Sequence, residues 1–168
     1  MNTEQVDVKI YIENMLSVKG LIYDVGYGHV DSRITPEHLI KATSYRKNSH
    51  LEFLRQTSIE VKLLPAEKNT KLKRVEIPNG YRAPYMTEFL HFIVMYMREE
   101  SSNPRHVWDG QKRGRIILCG DVIDFGPLFA LALCWYGSRY SGCSRALGLI
   151  EYFDEPLGEH DWLLWVKK

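Results

Sequence analysis

The sequence predicts an α+β fold: one domain over residues 1–168, with a mixed or antiparallel sheet packed against about three to four helices. Three observations point there. Several short segments alternate apolar and polar side chains with a period of two, as half-buried strands do. One stretch after Pro84 repeats apolar residues every three or four positions, as a helix with one buried face does. The 168 residues, 45% apolar and 26% charged, suit a single core and contain no repeat or linker.

Residues 6–12 set Val6, Val8, Ile10 and Ile12 against Asp7, Lys9 and Tyr11, which predicts a strand. Residues 14–20 turn the chain, residues 21–23 read as a second short strand, and residues 24–29 form a glycine-punctuated loop. A helix start follows, with Thr35 as the capping hydroxyl, Pro36 at the first helical position and Glu37 near the positive end. Ser49 and Glu52 form a capping box. Two short helices, or one kinked helix, are therefore expected within residues 35–56. Strand-like runs at 58–64 and 72–77 flank a loop at 65–70 and predict a hairpin.

The clearest helix begins near Pro84. Met86, Phe89, Leu90, Ile93, Val94 and Met97 form its apolar stripe, and Ser101-Ser102-Asn103-Pro104 stops it. Residues 115–119 predict a strand. Residues 127–136 are apolar all round, so a helix there is buried on every side. Residues 147–153 and 162–166 complete the set as late strands.

Basic and acidic side chains number 22 and 21, for a net charge of +1, so no strong overall field draws the chain to nucleic acid or a membrane. The apolar run at 128–136 is far shorter than the ~20 residues that span a bilayer. The polar, acidic opening at residues 1–5 lacks the character of a secretory signal. A soluble, cytoplasmic protein is the expectation. Cys119, Cys134 and Cys143 form no Cys-x-x-Cys pair. The first two lie in apolar runs as small core residues, which fits a reducing compartment. Cys143, close to Arg145, is the one in a polar setting.

The sharpest local signal is the segment from Arg115 to Pro127. An apolar strand ends at Gly120, and Asp121 and Asp124 follow three residues apart. Paired carboxylates at a strand end suit a cation, and they equally suit a strand-to-helix turn in which aspartates cap a helix after Pro127. Gly120-Asp121-Val122-Ile123-Asp124 resembles the central Gly-Asp-x-x-Asp motif of calcineurin-like metallophosphoesterases. Gly158-Glu159-His160-Asp161 is similar to their Gly-Asn-His-Asp motif. The resemblance implies a metal site built on Asp121, Asp124 and His160, loaded with Mn or Zn. Asp121 would bridge two metals, Glu159 would stand at a metal-binding Asn position, and His160 would contact the phosphoryl group. In that family the metals, about 3.5–4 Å apart, clamp an in-line attack on phosphorus. The chain contains no Asp-x-His, and only seven residues follow Asp161, whereas the family motif set includes an upstream Asp-x-His and later histidines.

No His-x-x-x-His or His-Glu-x-x-His spacing occurs, Gly26-x-Gly28 lacks the third glycine of a dinucleotide loop, and there is no Gly-x-Ser-x-Gly. His29 has Asp31 two residues away, the pattern of a tuned general base, and is otherwise a loop histidine. His91 sits beside the helical stripe as a packing residue.

Charge is unevenly distributed along the chain. Lys62, Lys68, Lys71, Lys73 and Arg74 crowd the expected hairpin, and Tyr81 and Tyr85 follow. Lys68, Lys71, Lys73, Arg74 and Tyr81 therefore make a nucleic-acid alternative: cations beside a stackable ring. Lysine-rich edge strands that resist aggregation give the same pattern. At the opposite pole Glu151, Asp154, Glu155, Glu159 and Asp161 occur with no basic residue among them. Together with Arg105 and Trp108, in a polar loop of the kind that carries interface hot spots, they form the expected partner-binding set. The expectation is a non-catalytic protein-binding module, of the kind used as a bacterial immunity protein or a phage-encoded inhibitor, with no cofactor and a partner protein of basic character. The metal-dependent phosphoesterase and the nucleic-acid binder stand as alternatives.

Overall fold

The computed structural model describes residues 6–11, 33–35, 37–38, 58–102, 115–138 and 142–168. In chain order these give β1 (Val6–Tyr11), β2 (Ser58–Pro65), a 3-10 turn (Leu72–Arg74), β3 (Tyr81–Arg82) and α1 (Met86–Ser102). β4 (Ile116–Asp124), β5 (Leu128–Ser138), β6 (Gly142–Glu151) and β7 (Trp162–Lys167) follow. The expected strand at 21–23, the loop with His29, most of the helical region at 35–56, the loop with Arg105 and Trp108, and the side chain of Cys143 lie outside the described residues. At the Thr35 start, the threonine Oγ1 accepts the His38 backbone N–H at 3.3 Å, the capping geometry expected there.

One mixed sheet runs in the order β1-β2-β7-β4-β5-β6. It consists of two antiparallel ribbons, β1-β2-β7 and β4-β5-β6, joined where β4 lies parallel to β7. That seam is short, with Ile116 opposite Trp162 and Ile117 opposite Leu163. Beyond it β4 carries more residues than β5 matches between the Ile117–Ala132 and Val122–Ala130 pairs, so β4 bulges away. The two residues of β3 pair with β7 just there, Tyr81 opposite Lys167 and Arg82 opposite Val166.

Both faces of the sheet are covered. On one, Ile59, Val61, Leu63, Ile116, Leu118, Leu131, Leu133, Leu147, Leu164 and Val166 pack with Phe89, Leu90, Phe92 and Ile93 of α1. On the other, Ile117, Ala130, Ala132, Cys134, Ile150, Leu163 and Trp165 pack with Leu72 and Leu157, which come from the segments following β2 and β6. Neighbours in sequence alternate between the two cores, as the period of a strand requires.

This double coverage explains the main correction to the expected fold. The named elements among the described residues are seven strands, one α-helix and one 3-10 turn, with Glu37 and His38 helical as well, not three to four helices packed on a sheet. Residues 127–136 are apolar all round because β5 is buried on both sides: Leu131 and Leu133 face α1, and Ala130, Ala132 and Cys134 face the other core. A strand enclosed on two faces loses its alternation and reads like an enclosed helix. The expected hairpin of 58–64 with 72–77 is also absent. β2 pairs instead with β1 and β7, and the second run is a 3-10 turn in which Leu72 alone is buried.

The helix begun near Pro84 forms as expected, and every residue from 86 to 94 is buried. An enclosed helix start has backbone N–H groups that water cannot reach, so the protein must supply acceptors. Glu88, at the third helical position, accepts the Tyr85 N–H at 2.8 Å, and Arg82 grips the same carboxylate through two bonds of 2.6 and 2.8 Å. Asp121 reaches across from β4 and accepts the Met86 N–H at 2.7 Å. Its neighbour Gly120 makes this approach sterically feasible. A Cβ at that position would lie 2.3 Å from the Pro84 carbonyl oxygen and 3.1 Å from the Ala83 Cβ.

Gly120→Ala is expected to lower the unfolding free energy by about 2 kcal/mol or more through overpacking against backbone. Asp121→Ala is expected to cost about 1–3 kcal/mol by leaving a buried N–H unsatisfied. Urea unfolding followed by tryptophan fluorescence measures both, and a Gly120→Ala midpoint equal to wild type would show that β4 yields to the added methyl.

Candidate functional site

Two segments cross the face opposite α1. Residues 66–80 leave the end of β2, and residues 152–161 leave the end of β6; they run past each other in opposite directions. They are stitched by the Asn69 N–H on the Leu157 carbonyl at 2.9 Å and the Leu157 N–H on the Thr70 carbonyl at 2.8 Å. A bridge between Lys71 and Pro156 continues the pairing. Asn69 takes a positive φ of 66°, which asparagine tolerates well, and this lets the chain turn into the pairing. Ion pairs follow the same line: Lys68 with Glu159 at 3.2 Å and Lys71 with Asp154 at 3.3 Å. Both pairs are exposed, so they add alignment and charge balance more than stability.

Beneath the second segment lies a charged cluster centred on Arg115. Its guanidinium donates to Asp161 at 2.7 and 3.0 Å and bonds Glu155 as well. Asp161 also accepts the Arg115 backbone N–H at 3.2 Å and the Gly158 N–H at 2.7 Å, so four donors satisfy one buried carboxylate. Backbone bonds fix the same residues, with the Ala66 N–H on the Asp161 carbonyl and the Trp162 N–H on the Arg115 carbonyl. Burial works to raise the Asp161 pKa, but the Arg115 and Gly158 hydrogen bonds and the Arg115 charge overcome it and hold the carboxyl below its usual 3.8. Burial opposes the charge on Arg115, yet Asp161 and Glu155 more than compensate and bind its proton more tightly than usual.

The expected partner-binding residues thus divide. Glu155 and Asp161 serve as counter-ions to Arg115, and half-buried Glu151 donates its backbone N–H to Glu155 at 3.2 Å. Asp154 and Glu159 remain at the surface, each beside a lysine of the facing segment. Arg105 and Trp108 lie outside the described residues. Of the residues expected to meet nucleic acid, Lys68 and Lys71 are therefore held by carboxylates. Lys73 lies over the Phe153 ring at 5.2 Å, Arg74 ends the 3-10 turn, and Tyr81 sits in β3 under Lys62 at 5.6 Å. The acidic and basic poles of the sequence thus meet on one surface, where Lys68 and Lys71 pair with Glu159 and Asp154.

Asp121, Asp124 and His160 are not brought together. Asp121 is buried and turned toward the start of α1. Asp124 is exposed at the end of β4, where its Oδ1 accepts the Gly126 N–H at 2.8 Å. Gly126 has a φ of +102°, so the pair shapes the β4–β5 turn. No helix follows Pro127: the capping aspartate expected here instead caps α1, which precedes it in sequence. His160 is exposed in the turn before β7. Among the described residues no group of three or more His, Cys, Asp or Glu side chains is placed to hold a metal ion, and no helix is long and apolar enough to cross a membrane. Cys134 is buried and Cys119 partly so, with burial pushing their thiols up to about 11 and about 12; Arg115 partly offsets the shift at Cys134. His91 packs within α1, its Nδ1 2.8 Å from the Thr87 carbonyl oxygen.

Two exposed residues escaped the sequence reading. Phe153 and Ile77 are the exposed large hydrophobics among the described residues. Ile77 ends one run expected as a strand and Phe153 ends another, and nothing in that pattern marks either as exposed. The Arg115 cluster was missed as well, although Arg115 and Asp161 each stand immediately before an apolar strand. Parallel pairing of those strands brings the two side by side. Compared with known proteins, the chain matches no family model, no curated protein and no solved structure.

Arg115→Leu is expected to cost about 3 kcal/mol, because it strands the Asp161 charge, and adding Asp161→Asn to it should restore part of the loss. A double variant less stable than Arg115→Leu alone would contradict the pairing. Because the folded-state pKa of Asp161 is depressed, its contribution is fully present above the usual 3.8 and disappears as pH falls through the folded value. Wild type should therefore lose unfolding free energy below about pH 4 more steeply than Asp161→Asn, as urea titrations at several pH values would show. Cys119 and Cys134 are expected to resist iodoacetamide at about pH 8 until the chain is denatured, which peptide mass spectrometry would report.

Proposed function

We propose that this chain is a non-catalytic protein-binding module acting in the cytoplasm, and that it docks through the crossed segments 66–80 and 152–161. The observation that carries this reading is the exposure of Phe153 and Ile77, 42% and 56%, on two crossing segments that hydrogen bonds and ion pairs tie to each other, with the Tyr152 N–H beside Phe153 bonded to the Leu128 carbonyl of β5. An aromatic side chain on a fixed support loses little conformational freedom on binding, which is how interface anchors gain affinity. Tyr152 supports the Phe153 ring edge-on at 5.3 Å, and Lys73 covers part of it. Mixed charge surrounds the anchor, as at the polar rim of a protein interface. The partner that suits this surface offers an apolar pocket with charges of both signs around it. Immunity proteins and phage-encoded inhibitors work as binders of this general class.

The test places a photo-crosslinking phenylalanine analogue at position 153, captures partners from a lysate of the source cells, and identifies them by mass spectrometry. Affinity for the captured protein is then measured by calorimetry. Phe153→Ala should weaken binding about tenfold or more. Glu60→Ala on β2 should leave affinity unchanged, and the melting temperature of both variants should stay within about 2 °C of wild type. Equal affinity for wild type and Phe153→Ala, or no protein crosslinked at position 153, would overturn the proposal.

A further inference from the structure

No further inference is drawn: the strongest candidate, the outer edge of β6 (Gly142–Glu151), pairs with β5 on its inner side, and nothing in the structure shows what covers the other.

Discussion

The seam between β4 and β7 is the constraint on which the rest of the structure depends. Each of the two antiparallel ribbons could form from its own strands, but a common sheet exists only where Ile116 and Ile117 meet Trp162 and Leu163. Two register pairs of parallel ladder are too few to hold ribbons of this size by hydrogen bonding alone. The seam is instead fixed at both ends by carboxylates. At its start Asp161 binds the side chain and the backbone of Arg115. Beyond its end, where β4 bulges away, β3 fills the gap on β7, and Gly120 and Asp121 receive the chain entering α1.

Both anchors use a buried acid, and in each case a buried polar group requires it. The start of α1 is enclosed, so its N–H groups need acceptors within the protein; Asp121 and Glu88 provide them, and their negative charge also suits the positive end of the helix. Arg115 is a cation partly removed from water, and two carboxylates from the segment after β6 neutralise it. The same acids that look chemically promising in a linear sequence therefore have structural partners. The Gly-Asp pair at 120–121 is a close-approach glycine followed by a helix cap. In the Gly-Glu-His-Asp segment, Asp161 closes its own turn onto Gly158 while holding Arg115.

Those elements governed by short-range patterning were legible in the sequence. The strand at 6–12, the helix beginning near Pro84 and the strands at 115–119, 147–153 and 162–166 all correspond to elements found, with boundaries shifted by a few residues at most sites. What was not legible depended on distant partners. β5 lost its alternation because Leu72 and Leu157 cover one face while α1 covers the other, and none of these neighbours is local. The run at 72–77 resembles a strand, but the position next to β2 that it would have taken belongs to β7, about a hundred residues later in sequence. Charge misled in the same way. The lysines at 68 and 71 and the acids at 154 and 159 looked like separate poles because their pairing spans more than eighty residues.

That pairing also decides which features remain for recognition. Once Lys68, Lys71 and Arg115 are matched with Glu159, Asp154, Glu155 and Asp161, the surface over the second core has little net field with which to attract a charged ligand. Under the proposed binding role, selection of a partner would then rest on shape and apolar contact, which the exposed Phe153 and Ile77 would offer. The segments that carry them are the ones that made β5 hard to read: they are packed onto the sheet through Leu72 and Leu157 and bonded to each other. The apolar cover that hides the alternation of β5 thus also anchors the segments that carry these side chains, and Tyr152 and Lys73 contact the Phe153 ring. A ring held in this way needs little further ordering when a complementary pocket closes over it.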